Sequence, residues 1–301
     1  MSTLATAPVQ LVECPRDAMQ GWPHFIPTAQ KIAYLNQLLK VGFHTLDCLS
    51  FVSPKAIPQM ADSHEVVQRL QPVTGTEGQP ATRILAIVAN ERGAADACQY
   101  ELITHLGYPF SISPTFQQRN ANSTIEQSWQ RLQQIQALAL KTGKEVVVYL
   151  SMAFGNPYAD AYHPHLVVEW AEKMVATGIR ILSLADTVGL ATPQEVQDTT
   201  AAVVQAFGTL ATIGVHLHST PQGLTQKLDA ALQAGATRVD GALHGYGGCP
   251  MAGNSLVGNM DMLQIVAHLQ GHTVYEHIQQ PALWEAASTA AQIFAAQKGS
   301  D

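Results

Sequence analysis

Charge is scarce in this chain. Of its 301 residues, 16 are Lys or Arg and 23 are Asp or Glu, and the net charge is −7. No basic block interrupts that balance, which excludes an electrostatic groove for nucleic acid. Long apolar runs are missing as well: none approaches the roughly 20 residues of a membrane span. The first residues lack a basic start followed by an apolar stretch, so no secretory signal is expected and the cytoplasm is the default setting. Cysteine is rare. Cys14, Cys48, Cys98 and Cys249 lie far apart and form no CxxC pair, which argues against a disulfide framework and against a structural zinc site. Low-complexity stretches and linkers are absent too. What is plentiful is apolar material, 47% of the chain, regularly patterned, which excludes a disordered protein.

That material is organised as strand-like runs alternating with helix-like stretches, about every 30 residues, the length of a βα unit. Short apolar or β-branched runs stand at 9–14, 44–47, 83–88, 108–112, 145–150, 180–184, 212–217 and 238–241. Between them, apolar residues at helical spacing predict helices over 28–41, 63–70, 94–106, 165–176 and 224–234. Ser123 opens a further long helix reaching about 142, with Glu126 placed for a capping box. Pro193 suits the first turn of another. Helices near 262–269 and 281–296 finish the chain.

All-apolar strands alternating with helices imply a parallel sheet covered on both sides. Eight such units closing on themselves make a (β/α)8 TIM barrel. A doubly wound open sheet is the competing arrangement, but its first strand should run into GxGxxG. Here residues 14–21 read CPRDAMQG, and no Walker A motif follows. The expectation is one catalytic α/β domain over 1–301, with the barrel over about 9–270 and a short helical extension over about 271–298.

Catalytic groups of such barrels sit at the C-terminal ends of the strands. Those ends offer Arg16 and Asp17, Asp47 and Ser50, Ser151 and Asn156, Asp186 and Thr187, His216 and His218, then a Gly-rich stretch with Cys249 and Asn259. His216 and His218 are two apart on a strand and therefore share a face, an arrangement that suits a divalent metal. The bland alternative is a pair of satisfied polar residues. Asp17, two His and an amide oxygen from Asn259 make a mixed nitrogen and oxygen set, which favours Mg2+ or Mn2+ over a closed zinc site. Cys249 in its Gly-Gly-Cys-Pro turn is either a small buried hydrophobe or a thiol on a mobile loop that reaches substrate. Arg16, beside a metal-binding Asp, reads as an oxyanion stabiliser.

Together these residues resemble the hydroxymethylglutaryl-CoA lyase family, bacterial branch, over nearly the whole chain. The resemblance rests on Pro15-Arg16-Asp17-Ala18-Met19-Gln20, on Ser50-Phe51-Val52-Ser53-Pro54-Lys55 with Pro58-Gln59-Met60, and on Asn120-Ala121-Asn122. It continues through Asp186-Thr187-Val188-Gly189, the His216/His218 pair and Gly247-Gly248-Cys249-Pro250. It implies metal ligation by Asp17, His216, His218 and Asn259. It also implies Arg16 at the enolate, Cys249 as the loop acid, Asp47 in the place of a Glu near the metal, and Asp186 as an active-site Asp. An acyl-CoA substrate, a divalent ion, no membrane or nucleic-acid partner and a homodimer follow from the same resemblance. So does cleavage of 3-hydroxy-3-methylglutaryl-CoA to acetoacetate and acetyl-CoA. The competing readings are a lyase or aldolase for another 3-hydroxyacyl-CoA, a condensing relative, and a non-catalytic acyl-CoA-binding protein. The chain departs from the family at Val12, Asp47 and Ser219, and in Asn259 running directly into Met260-Asp261. Asn254 competes with Asn259 as the amide ligand, since both follow a Gly.

Overall fold

A computed structural model describes residues 8–73, 81–248, 257–270 and 278–295. Eight strands follow one another around a closed ring: β1 (Gln10–Glu13), β2 (Thr45–Ser50), β3 (Arg83–Ile87), β4 (Ile103–Ser111), β5 (Glu145–Ser151), β6 (Ile181–Ala185), β7 (Thr212–His216) and β8 (Arg238–Gly241). Each pairs in parallel with the next, and β8 closes on β1 with Val12 beside Asp240 and Glu13 beside Gly241. Around the ring lie α1 (Pro15–Gln20), α2 (Thr28–Leu38), α3 (Ser63–Arg69), α4 (Glu91–Cys98), α5 (Pro114–Ala121), α6 (Ile125–Lys141), α7 (Pro164–Ala176), α8 (Pro193–Phe207), α9 (Leu224–Gln233), α10 (Met262–Leu269) and α11 (Gln280–Ala295). The fold is the (β/α)8 TIM barrel expected from the alternation.

Strand alternation divides the core in two. Ile84, Ala86, Val146, Val148 and Leu182 face out and join the layer under the helices. Leu85, Ile87, Val147, Tyr149 and Ile181 face in and pack across the barrel. The interior is not wholly apolar. Arg238 is fully buried there, with room made by Gly214, where a Cβ would stand 2.8 Å from that of Arg238. One guanidinium nitrogen of Arg238 donates to Thr45 Oγ1 at 3.3 Å.

Four readings change. The helix foreseen over 94–106 is two elements, because Asn90 caps α4 early by accepting from the Gly93 amide at 2.9 Å. The segment then turns so that Ile103 can open β4, where β-branched Ile103 and Thr104 suit a strand. A capping box opens α6, but it joins Thr124 to Gln127, not Ser123 to Glu126. Residues 114–121 form α5, started by Pro114 behind the capping Ser113. Strand β2 also runs on to Ser50, which leaves Asp47 inside the barrel wall and not at its rim.

The C-terminal helix α11 lies against the start of the barrel. The Trp22 and Phe294 rings meet edge to face at 5.1 Å, and the Gln279 amide donates to the Val41 carbonyl at 2.8 Å.

Candidate active site

The chain turns sharply out of β1. Pro15 takes the first position of α1 and swings Arg16 and Asp17 over the barrel mouth, where both are buried. Four hydrogen bonds engage the Arg16 guanidinium. Its Nε donates to Asp47 Oδ1 at 3.1 Å, Nη2 donates to Asp47 Oδ2, and Nη1 donates to Asp17 Oδ1 at 3.0 Å and Gln20 Oε1 at 2.9 Å. Such a planar fork is the strong form of an ion pair. Burial works against the Arg16 charge, but Asp47 and Asp17 outweigh it and hold the guanidinium protonated. Asp47 is completely buried; burial pushes its carboxyl up and Arg16 pulls back against it.

Asp17 is the hub. Gln20 Nε2 donates to its Oδ1 at 2.8 Å and Asn259 Nδ2 to its Oδ2 at 2.7 Å. Burial would raise this carboxyl, yet Arg16, then His216, Asn259 and His218, bring it down to about 2. One ligand atom each from Asp17, His216 and His218 lie within 4.8 Å of one another. The two imidazole rings stand 5.3 Å apart at 76°. His218 donates through Nδ1 to the Thr187 carbonyl at 3.1 Å, which leaves the lone pair on Nε2. Burial, and after it the His216 charge, lower His218 to about 4, so it is neutral near pH 7.

Two buried atoms here have no hydrogen-bond partner among the described residues: His218 Nε2 and Asn259 Oδ1. Both are acceptors, and buried acceptors are rarely left alone. With the Asp17 carboxylate and the His216 ring they compose a set whose chemistry fits a divalent cation. His216 has its Nδ1 3.4 Å from Asp240 Oδ2. Burial disfavours the His216 charge, but Asp240 and Asp17 together raise its pKa.

Asn259 is held by the clasp that follows β8. Its Nδ2 also donates to the Tyr246 carbonyl at 2.9 Å. Gly247 has φ +92°, and a Cβ there would stand 2.7 Å from Asn259 Nδ2 and 2.8 Å from the Asp17 carbonyl oxygen. Only glycine permits that approach. Asn259 therefore stands at the site, whereas Asn254 and Cys249 lie outside the described residues.

Asp186 is at the same mouth, but its hydrogen bonds go elsewhere than to the imidazoles. It accepts from Lys227 Nζ at 2.7 Å and from the Ala191 amide at 3.3 Å. Lys227 also donates to the His218 carbonyl at 2.8 Å. Gln20, Lys227 and Asp240 are absent from the sequence-based set. Gln20 was findable as the residue one helical turn beyond Arg16, whereas nothing local marks Asp240. Lys227 looks like any helix-surface lysine until α9 is seen to press it inward.

An HMGL-like family model matches residues 9–290. The mitochondrial hydroxymethylglutaryl-CoA lyase of Mus musculus is 33% identical over 291 residues, which is 95% of this chain and 86% of that protein. The crystal structure of the Bacillus subtilis HMG-CoA lyase superposes with a TM-score of 0.87 at 30% identity, covering 96% of this chain and 94% of that one. An Acinetobacter baumannii HMG-CoA lyase, solved with coenzyme A and 3-methylmalate, superposes with a TM-score of 0.85 at 27% identity, covering 98% and 96%. With a family model matching residues 9–290 and relatives matched nearly end to end, this chain belongs to the HMGL-like family.

Proposed function

We propose that this protein is a divalent-metal-dependent carbon–carbon lyase, a single catalytic domain, that cleaves 3-hydroxy-3-methylglutaryl-CoA to acetoacetate and acetyl-CoA. The observation that carries the reading is the convergence of Asp17, His216 and His218, with two buried acceptors unpartnered, beside the Arg16 guanidinium. Asp17, His216, His218 and Asn259 would hold Mg2+ or Mn2+. Bound there, such an ion supplies Lewis-acid polarisation of the substrate's tertiary hydroxyl.

The chain's own groups supply the rest. The hydroxyl proton passes to Asp47, in the barrel wall just below the mouth, or to His216 where its lone pair is not held by the ion. As the carbon–carbon bond breaks, electrons move onto the thioester carbonyl, and Arg16 stabilises the resulting enolate charge. Asp47 keeps the planar guanidinium aimed through its two-point contact. Cys249 returns a proton to the acetyl carbanion as general acid. Asp186, tied to Lys227, fixes the turn that carries Thr187 and so holds His218 in place.

An acyl-CoA substrate is supported by the coenzyme A bound in the Acinetobacter baumannii relative. A homodimer is proposed on family resemblance alone, and the cytoplasm as the default setting. No helix among the described residues is long and apolar enough to cross a membrane.

A second reading rests on Ser219, whose buried Oγ has no hydrogen-bond partner among the described residues. With Asp47 shorter than the Glu of the family, it favours another 3-hydroxyacyl-CoA as substrate. The test is metal-stripped protein incubated with 3-hydroxy-3-methylglutaryl-CoA, with and without Mg2+ or Mn2+, following acetoacetate and acetyl-CoA, with Cys249→Ala alongside. Metal-dependent cleavage lost in the variant is the expected result. Metal binding without cleavage would remove the named substrate and send the search to a panel of 3-hydroxyacyl-CoA thioesters.

A further inference from the structure

His216 has a second set of neighbours on its inner side. One ligand atom each from Cys14, His216 and Asp240 lie within 4.8 Å of one another. Cys14 and Asp240 are buried in the barrel interior. They come together because β8 pairs with both β1 and β7, which sets Asp240 between the end of β1 and His216.

The Asp240 carboxylate is poorly satisfied for a group so deeply buried. Its contacts are His216 Nδ1 at 3.4 Å, Ser183 Oγ at 3.5 Å and Arg238 Nε at 3.5 Å. Its Oδ1 has no hydrogen-bond partner among the described residues. Among the described residues the Cys14 thiol has only a 3.8 Å approach to the Val12 carbonyl. A buried carboxylate usually collects shorter bonds than these.

We propose that Cys14, His216 and Asp240 form an inner cation position for thiophilic ions such as Zn2+, and that filling it disables the outer site. The donor set decides the ion. Sulfur, imidazole nitrogen and one carboxylate oxygen suit zinc, whereas the oxygen-rich outer set suits Mg2+ or Mn2+. Arg238 balances the second carboxylate oxygen.

The exclusion follows from proton bookkeeping on one ring. Neutral imidazole has one lone pair and one N–H. With Nδ1 donating to Asp240, the lone pair is on Nε2. An inner ion takes Nδ1 as its ligand, so the Nδ1 proton moves to Nε2, and the Cys14 thiol proton leaves to solvent. His216 then presents an N–H toward the outer set and cannot ligate there. The inner site stands on the Cys14 geometry by itself; the exclusion rests on reading the outer set as the resident metal site.

The experiment uses the full chain stripped of metal and titrated with Co2+ as a zinc probe. A near-ultraviolet thiolate-to-cobalt band is expected. It should persist in Cys249→Ser and in Asp17→Asn and vanish in Cys14→Ser. No such band, or a band lost in Cys249→Ser and kept in Cys14→Ser, overturns the inner site. Bound Mn2+ is then followed by electron paramagnetic resonance while Zn2+ is added. Stoichiometric zinc should release Mn2+ from the wild type, and Cys14→Ala should require about tenfold more zinc. Equal sensitivity of the two proteins would mean that zinc merely competes for the outer ligands. Circular dichroism of both Cys14 variants checks that the barrel is intact. Neither readout uses the acyl-CoA, so lack of lyase activity would fail the proposed function and leave the inner site standing.

Discussion

Lys227 puts its ammonium 2.7 Å from Asp186 Oδ2 while also donating to the His218 and Gly189 carbonyls. One buried cation thus ties the turn after β6 to the end of β7. Lys227→Met leaves Asp186 buried beside no counter-charge, and breaking such a pair from one side costs about 3–5 kcal/mol. Asp186→Asn/Lys227→Met should recover much of the loss. Urea unfolding of the single and double variants measures both, and a double variant no more stable than Lys227→Met would contradict the ion-pair account.

Arg16 carries its consequence in kcat. Replacing it with Gln removes the guanidinium at the developing enolate, and kcat should fall on the order of 10²–10³ as for one lost oxyanion donor. KM should move little. Arg16→Lys should not rescue, because a point charge cannot reproduce the two-point contact with Asp47. Steady-state kinetics with the acyl-CoA decides; a fall confined to KM would assign Arg16 to ground-state binding.

The fold itself should answer to pH through His105. This ring is almost wholly buried, and burial, with Arg238 and Arg83 nearby, lowers its pKa to about 3. The unfolded chain binds that proton from about pH 6.5 downward and the folded chain does not. Unfolding therefore takes up a proton between those values, and stability falls as pH drops, by up to about 1.4 kcal/mol per pH unit from this residue. His44, also lowered to about 3 by burial and Arg83, acts in the same direction. His105→Gln should flatten the slope of unfolding free energy against pH; an unchanged slope would show that His105 does not set it.

Gly247 offers a metal test that leaves the ligands untouched. Gly247→Ala pushes a methyl toward Asn259 Nδ2 and the Asp17 carbonyl at a φ of +92°. Backbone strain of that kind costs about 1–3 kcal/mol. Mn2+ affinity should drop more steeply than thermal stability, as read by electron paramagnetic resonance and by calorimetry. Unaltered Mn2+ binding would show that the clasp tolerates movement.

The barrel was legible because its strands are short apolar runs that the chain repeats, and closure needs no other signal. Residues 94–106 misled because Leu102 and Leu106 keep a helical spacing, whereas a single cap at Asn90 and the β-branched pair Ile103-Thr104 decide the break. Asp17, His216, His218 and Asn259 were readable as residue types placed at strand ends. Lys227 and Asp240 were not, because their importance lies in contacts across elements. Asp240 is one carboxylate in a four-residue strand, and nothing local says that it faces His216 and Cys14.

Asp17 and Asn259 are 242 residues apart in sequence yet share a 2.7 Å hydrogen bond. Their meeting exists only once β8 has sealed against β1. A chain still emerging from the ribosome therefore lacks the complete mouth. An ion captured by both residues is a latch on the seam: it binds the sealed ring alone and, by mass action, holds it shut. On the proposed function, competence to turn over substrate and completion of folding thus become one event.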